Sequence, residues 1–123
     1  MEARKKSILQ EKSERFAERI VKMHQYLNSV KHEYEMSRQV YKSGTSIGSN
    51  IAEARDAQSG PDFISKMSIS LKEANETEYW LKTLLSGSYI TEKEYISMHG
   101  DNEELEKMLV STIKTMKRKY GLL

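Results

Sequence analysis

Apolar residues recur along this chain at spacings of three and four, and strand-like alternation is absent. That period belongs to helices with one buried stripe. Leu9, Phe16, Ile20, Met23 and Leu27 predict a helix over Lys5–Asn28. Val40, Ile47, Ile51 and Ala54 predict a second over Tyr34–Ala57. Ile64, Met67, Leu71, Ala74, Leu81 and Leu85 predict a third over Pro61–Leu85. Leu105, Leu109, Thr112, Ile113 and Met116 carry a fourth, over Thr91–Lys119. Polar or Gly/Pro-containing breaks at Asn28-Ser29, Gln58-Ser59-Gly60-Pro61 and Ser86-Gly87-Ser88 separate them. Ser59 with Asp62, and Thr91 with Glu94, have the spacing of capping boxes. Gly100-Asp101-Asn102 marks an expected kink or break in the fourth helix. Short connections between four helices predict an all-α, up-down-up-down antiparallel four-helix bundle, one domain over residues 1–123.

One stretch resists its own local propensity. Ser43-Gly44-Thr45-Ser46-Ile47-Gly48-Ser49-Asn50-Ile51-Ala52-Glu53-Ala54 lies inside the second helix. Each interior Gly costs a helix about 1 kcal/mol relative to Ala. Gly44, Gly48 and Ala52 recur every four residues and share a face, so close approach of another helix is the expected compensation. A leucine at Gly48 is expected to overpack that contact.

The same stretch, followed by Asp62-Phe63, Lys66 and Leu71-Lys72-Glu73-Ala74-Asn75-Glu76-Thr77-Glu78-Tyr79-Trp80-Leu81, resembles a bacterial four-helix-bundle family. Its founding members are encoded in intervening sequences of 23S rRNA genes. The family pattern reads Ser-Ile-x-x-Asn-Ile-Ala-Glu-Gly, and here Ala54 stands at the last position. The resemblance runs nearly end to end and is densest from about Gln39 to Leu85. It implies the bundle, and it places Asn50, Glu53 and Glu76 within the family motif. The accessory proteins of diversity-generating retroelements are similar in fold; they form a pentameric barrel and bind nucleic acid and a reverse transcriptase. The resemblance therefore implies a homo-oligomer, with a pentamer the leading form. It also implies RNA or DNA as a partner, and a protein partner such as a reverse transcriptase.

Chemistry is sparse. With no Cys there is no disulfide, thiolate nucleophile or thiolate metal site. No apolar run suits a signal peptide or a membrane span, so a soluble cytoplasmic protein is expected. Di-iron bundles need Glu-x-x-His pairs. Val21, Ser29 and Ile96 stand three residues before His24, His32 and His99, so no such pair forms and the three read as surface or boundary histidines. No Gly-x-Ser-x-Gly elbow occurs, and Gly44–Gly48 lacks the Lys-Ser/Thr ending of a phosphate loop. The expectation is a non-enzyme without cofactor or metal. Glu78 falls on the apolar stripe of the third helix. With Asn50, Glu53, Glu73 and Glu76 it reads as a polar layer between the second and third helices. Such a layer either fixes helix register or performs acid–base chemistry. Together with Gly44, Ser46 and Gly48 these are the expected packing and polar-layer positions.

Charge is the remaining clue. Residues 1–33 hold eight Lys/Arg against five Asp/Glu; residues 34–109 hold eight against thirteen; residues 110–123 hold four and no acid. In an antiparallel bundle the first helix starts where the fourth ends. Arg4, Lys5 and Lys6 are then expected beside Lys114, Lys117, Arg118 and Lys119, a cluster suited to phosphate contacts. Cations favoured by a helix carboxyl end give the same pattern without any ligand. Trp80 lies off the main stripe, and Tyr79-Trp80 suits either a second interface or the end of the core. Two functional readings stand open: a self-assembling bundle that binds nucleic acid through its basic end, and a protein-interaction scaffold with no nucleic-acid role. Net charge of +2 and the acidic middle set the chain apart from the strongly basic accessory proteins.

Overall fold

The computed structural model describes residues 6–123. Four helices follow one another: α1 (Ile8–Ser29), α2 (Glu35–Arg55), α3 (Gly60–Ser86) and α4 (Glu92–Lys119), with no strand among the described residues. Their ends follow capping chemistry. Ser7 starts α1 by accepting the Gln10 N–H at 3.0 Å, three residues later than the apolar pattern alone predicts. At α4, Thr91 accepts from the Glu94 N–H and Glu94 accepts from the Thr91 N–H, the full capping box. At α3, Ser59 accepts from Asp62, but the Asp62 carboxylate takes the Gln58 N–H, because an Asp side chain is one carbon short.

One local expectation is corrected. Gly100-Asp101-Asn102 does not interrupt α4, which runs unbroken because Asn102 points into the core. The left-handed residue after α3 is Ser88, with φ 62°, while Gly87 keeps φ −86°.

Consecutive helices pack antiparallel, α1 on α2, α2 on α3 and α3 on α4, and α4 returns loosely to α1. This is the up-down-up-down bundle. Phe16, Ile20, Leu27, Val40, Ile47, Ile51, Leu81, Leu105 and Leu109 form its core, the stripes having turned inward. On α3, Leu84 is fully buried while Leu71 and Leu85 are only partly so. The loose α1–α4 seam is bridged by charge: Lys12 pairs with Glu104, and Arg19 with Asp101 and with Ser97 Oγ at 2.8 Å.

The small residues of α2 serve two neighbours at once. Gly44 faces Ile20 of α1, and Gly48 faces Ser13 of α1. On the other side, Ser43 Oγ meets Thr77 Oγ1 at 2.9 Å, and Ser70 Oγ donates to the Ile47 carbonyl at 2.8 Å. Hydroxyls this short allow close helix approach and still satisfy their hydrogen bonds.

Candidate nucleic-acid interface and polar networks

Cations gather at the end of α4 for a local reason. The last turn of a helix carries partial negative charge, and Lys117, Arg118 and Lys119 occupy it. Tyr120 pins this end to the α2–α3 turn. Its ring lies on Gly60, where a Cβ would run into it, and the Lys119 ammonium sits 5.9 Å from the ring centroid. Lys114, Arg118 and Lys119 are exposed and Lys117 is partly buried; none of the four makes an ion pair among the described residues. Lys6 lies at the same end of the bundle but is tied to Glu14 at 3.0 Å. Arg4 and Lys5 fall outside the described residues.

The polar layer expected across α2 and α3 does not form. Asn50 donates to the Ser46 carbonyl of its own helix at 2.8 Å, and Ser46 Oγ donates to the Lys42 carbonyl. Glu53 and Glu76 are exposed and make no hydrogen bond to Asn50 or to each other. Glu73 is half-buried, and burial, then the neighbouring Glu76 charge, raises its carboxyl above the ordinary 4.5. What joins α2 to α3 is the Ser43–Thr77 and Ser70–Ile47 pairing. The helical rotation that turns these hydroxyls inward turns Glu53 and Glu76 out.

Glu78 instead faces α4. Tyr95 Oη donates to Glu78 Oε2 at 2.6 Å, and His99 Nδ1 lies 2.7 Å from Glu78 Oε1. His99 Nε2 lies 3.2 Å from Glu103, which also holds Lys107 at 3.1 Å. An imidazole between two carboxylates satisfies both by carrying its second proton. The Glu78 hydrogen bond therefore raises the His99 pKa, against an opposing effect of burial. Burial, and then the hydrogen bond to Glu78, pushes Tyr95 up to about 12. One turn on, Asn102 Nδ2 donates to the Ala74 carbonyl at 2.9 Å and to Glu106 Oε1 at 3.0 Å.

This network has a pH signature. The raised His99 pKa means the fold holds a proton that the unfolded chain releases. The stabilisation is fully present below the ordinary value of 6.5 and is lost as pH climbs through the raised value. The melting temperature is expected to fall as pH rises above the ordinary 6.5, and His99→Gln to flatten that fall. Parallel melting curves for the two proteins would overturn this.

A second cluster escaped the sequence reading. His24 Nδ1 lies 2.6 Å from Ser37 Oγ, Ser37 Oγ is 2.9 Å from Asn28 Oδ1, and Asn28 Nδ2 is 3.3 Å from His24 Nε2. The His24 ring also packs on Tyr41 with centroids 4.6 Å apart. So a base does stand beside a serine. Yet Ser37 is fully buried, so its hydroxyl joins α1 to α2 and offers no surface to a substrate. His24 and Asn28, four apart on one helix face, were the legible half of this cluster. His24 and His99 are thus network residues; His32 is exposed, its Nδ1 3.3 Å from Tyr34 Oη. No three His, Asp or Glu side chains are placed to hold a metal ion among the described residues. None of the helices is long and apolar enough to cross a membrane.

Fold and networks define a small antiparallel four-helix bundle held by interhelical polar pairs around an aliphatic core. The chain belongs to the 23S rRNA-intervening sequence protein family, whose model matches residues 5–111. It is similar to a protein of unknown function from the S23 ribosomal protein family of Bacteroides thetaiotaomicron, known from a crystal structure. The two are 50% identical over 87% of this chain and 96% of that one, with a TM-score of 0.87. No curated protein matches the chain.

Proposed function

We propose that this chain is a non-enzymatic bundle that assembles with copies of itself and binds RNA or DNA, without sequence preference, through the carboxyl end of α4. The observation that carries this reading is the set Lys114, Lys117, Arg118 and Lys119. These four stand in residues 110–123, which hold no acid, and make no ion pair among the described residues. Cations without protein partners are available to phosphates, and several copies in one assembly add weak contacts through avidity. A ring of five is the expected assembly, on the resemblance to the retroelement accessory proteins. The scaffold reading draws its support from Ile69 and Tyr79, two large side chains exposed on α3.

The test is an electrophoretic shift at low salt with structured RNA and with duplex DNA. Affinity on the order of micromolar is expected, falling steeply with salt as counterions are released. Changing Lys117, Arg118 and Lys119 to Glu is expected to abolish the shift and leave the circular dichroism spectrum unchanged. No shift with either nucleic acid, or a shift that survives the charge reversal, would leave the scaffold reading in its place.

A further inference from the structure

We infer that residues 92–101, the amino-terminal part of α4, open and reclose as a unit on a bundle that stays folded, with Gly100 as the weak point of the helix. Core packing does little to hold this segment. Met98 is its one buried apolar residue, and Tyr95 and His99 are partly buried, whereas the stretch that follows buries Leu105, Leu109 and Ile113. Ile90 before the segment and Leu105 after it are buried, so both flanks stay anchored while the part between them moves. Polar clips hold it instead, one on each side. Toward α1, Arg19 pairs with Asp101 and reaches Ser97 Oγ at 2.8 Å, across the seam where α1 and α4 pack loosely. The Arg19 and Asp101 side chains are 40% and 50% exposed, and ion pairs that wet stabilise little. Toward α3, Glu78 accepts from Tyr95 Oη and meets His99 Nδ1.

Gly100 is the second, independent observation. Ile20 presses on Gly44 and Tyr120 on Gly60, but a Cβ at Gly100 would meet nothing within 4 Å. No neighbour requires a glycine there, yet only proline weakens a helix interior more. Segments with few buried apolar contacts and exposed backbone are the ones that open below the global unfolding free energy. The clip toward α3 also titrates. His99 faces Glu78 from α3, and Tyr95, Glu103 and Glu106 from its own helix, with Lys107 behind Glu103. Lys12 and Arg19 of α1 hold Glu104 and Asp101 on the other side of the helix. A neutral imidazole has one proton for two carboxylates, so opening becomes more frequent as pH rises above the ordinary 6.5. Opening releases Arg19 and uncovers Met23, which lines the α1–α4 groove together with Met98. Lys114 to Lys119 lie beyond the anchoring leucines, and the opening is independent of the nucleic-acid reading.

Amide hydrogen exchange followed by NMR, corrected for the intrinsic rate at each pH, tests this. In the native chain, amides 95–101, past the first turn of α4, are expected to exchange at least about tenfold faster than amides 105–113. Ile47→Val lowers the stability of the whole bundle at a core position outside α4. It is expected to speed amides 105–113 several-fold and to leave amides 95–101 unchanged, because the opened form keeps that core. Gly100→Ala is expected to slow amides 95–101 by about fivefold. Raising the pH above 6.5 should speed amides 95–101 in the native chain and much less in His99→Gln. The comparison within the native chain decides without any variant. Equal protection of the two stretches, acceleration of both by Ile47→Val, no slowing by Gly100→Ala, or corrected rates that ignore pH would each overturn the inference.

Discussion

Replacing Gly44 with leucine is expected to remove a large part of the stability of the fold. A Cβ at this position would lie 2.7 Å from Ile20 Cγ1, 2.8 Å from Cδ1 and 3.0 Å from Cγ2, all closer than carbon atoms tolerate. Ile20 cannot step aside. It is completely buried, and a β-branched side chain in a helix has essentially one comfortable rotamer. Overpacking a dense interior typically costs about 1–3 kcal/mol, and leucine adds three more carbons beyond the Cβ clash. Better helix propensity returns at most about 1 kcal/mol. Against a total stability of roughly 5–15 kcal/mol, a loss of about 3 kcal/mol or more is severe. Gly48 is the looser of the two glycines: an added Cβ meets Ser13 Oγ at 3.2 Å, and that hydroxyl can turn. Gly48→Ala is therefore expected to be close to neutral, Gly44→Ala to destabilise, and Gly44→Leu to do so most, by urea denaturation. Equal midpoints for Gly44→Leu and the native protein would contradict the α1–α2 packing described here.

Asn102→Asp is expected to cost about 3–5 kcal/mol at neutral pH, because it strands a charge in the core. Asn102 is completely buried. Its Nδ2 gives two hydrogen bonds, to the Ala74 carbonyl and to Glu106, while its Oδ1 has no partner. An aspartate would set a negative oxygen against two acceptors and keep the unpartnered atom. Burial, and then the Glu78 charge, already holds the Glu106 carboxyl above the ordinary 4.5, so a second carboxylate beside it is worse still. Protonation gives the aspartic acid a donor again. Its folded pKa is therefore raised, and stability should return as pH falls toward its unfolded value of about 3.9. Asn102→Leu should be milder than Asn102→Asp at neutral pH, since it removes the unpartnered oxygen along with the two bonds. Denaturation midpoints at neutral and mildly acid pH test both statements. An Asp variant as stable as the native protein at pH 7 would mean that position 102 reaches solvent.

Much of the fold was legible because helices are local objects. The apolar spacing of Val40, Ile47, Ile51 and Ala54 names the buried face of α2 without reference to any partner. Thr91 and Glu94 close their capping box within one turn. Gly44 and Gly48 announced a close contact, since a helix keeps such residues only where something presses on it. The sequence could not say that Ile20 and Ser13 are what they face. It also could not separate Glu78, which turns to Tyr95 and His99, from Glu76, which turns to water. Nor could it bring His24 to Ser37, or bury Asn102 in a helix whose own neighbours spell a break. Periodicity reveals that a helix has an inner face. The rotation and axial register at which two such faces meet follow from side chains far apart in the chain locking together. Every interhelical polar pair depends on that angle and that register, so only the folded bundle decides which polar groups meet.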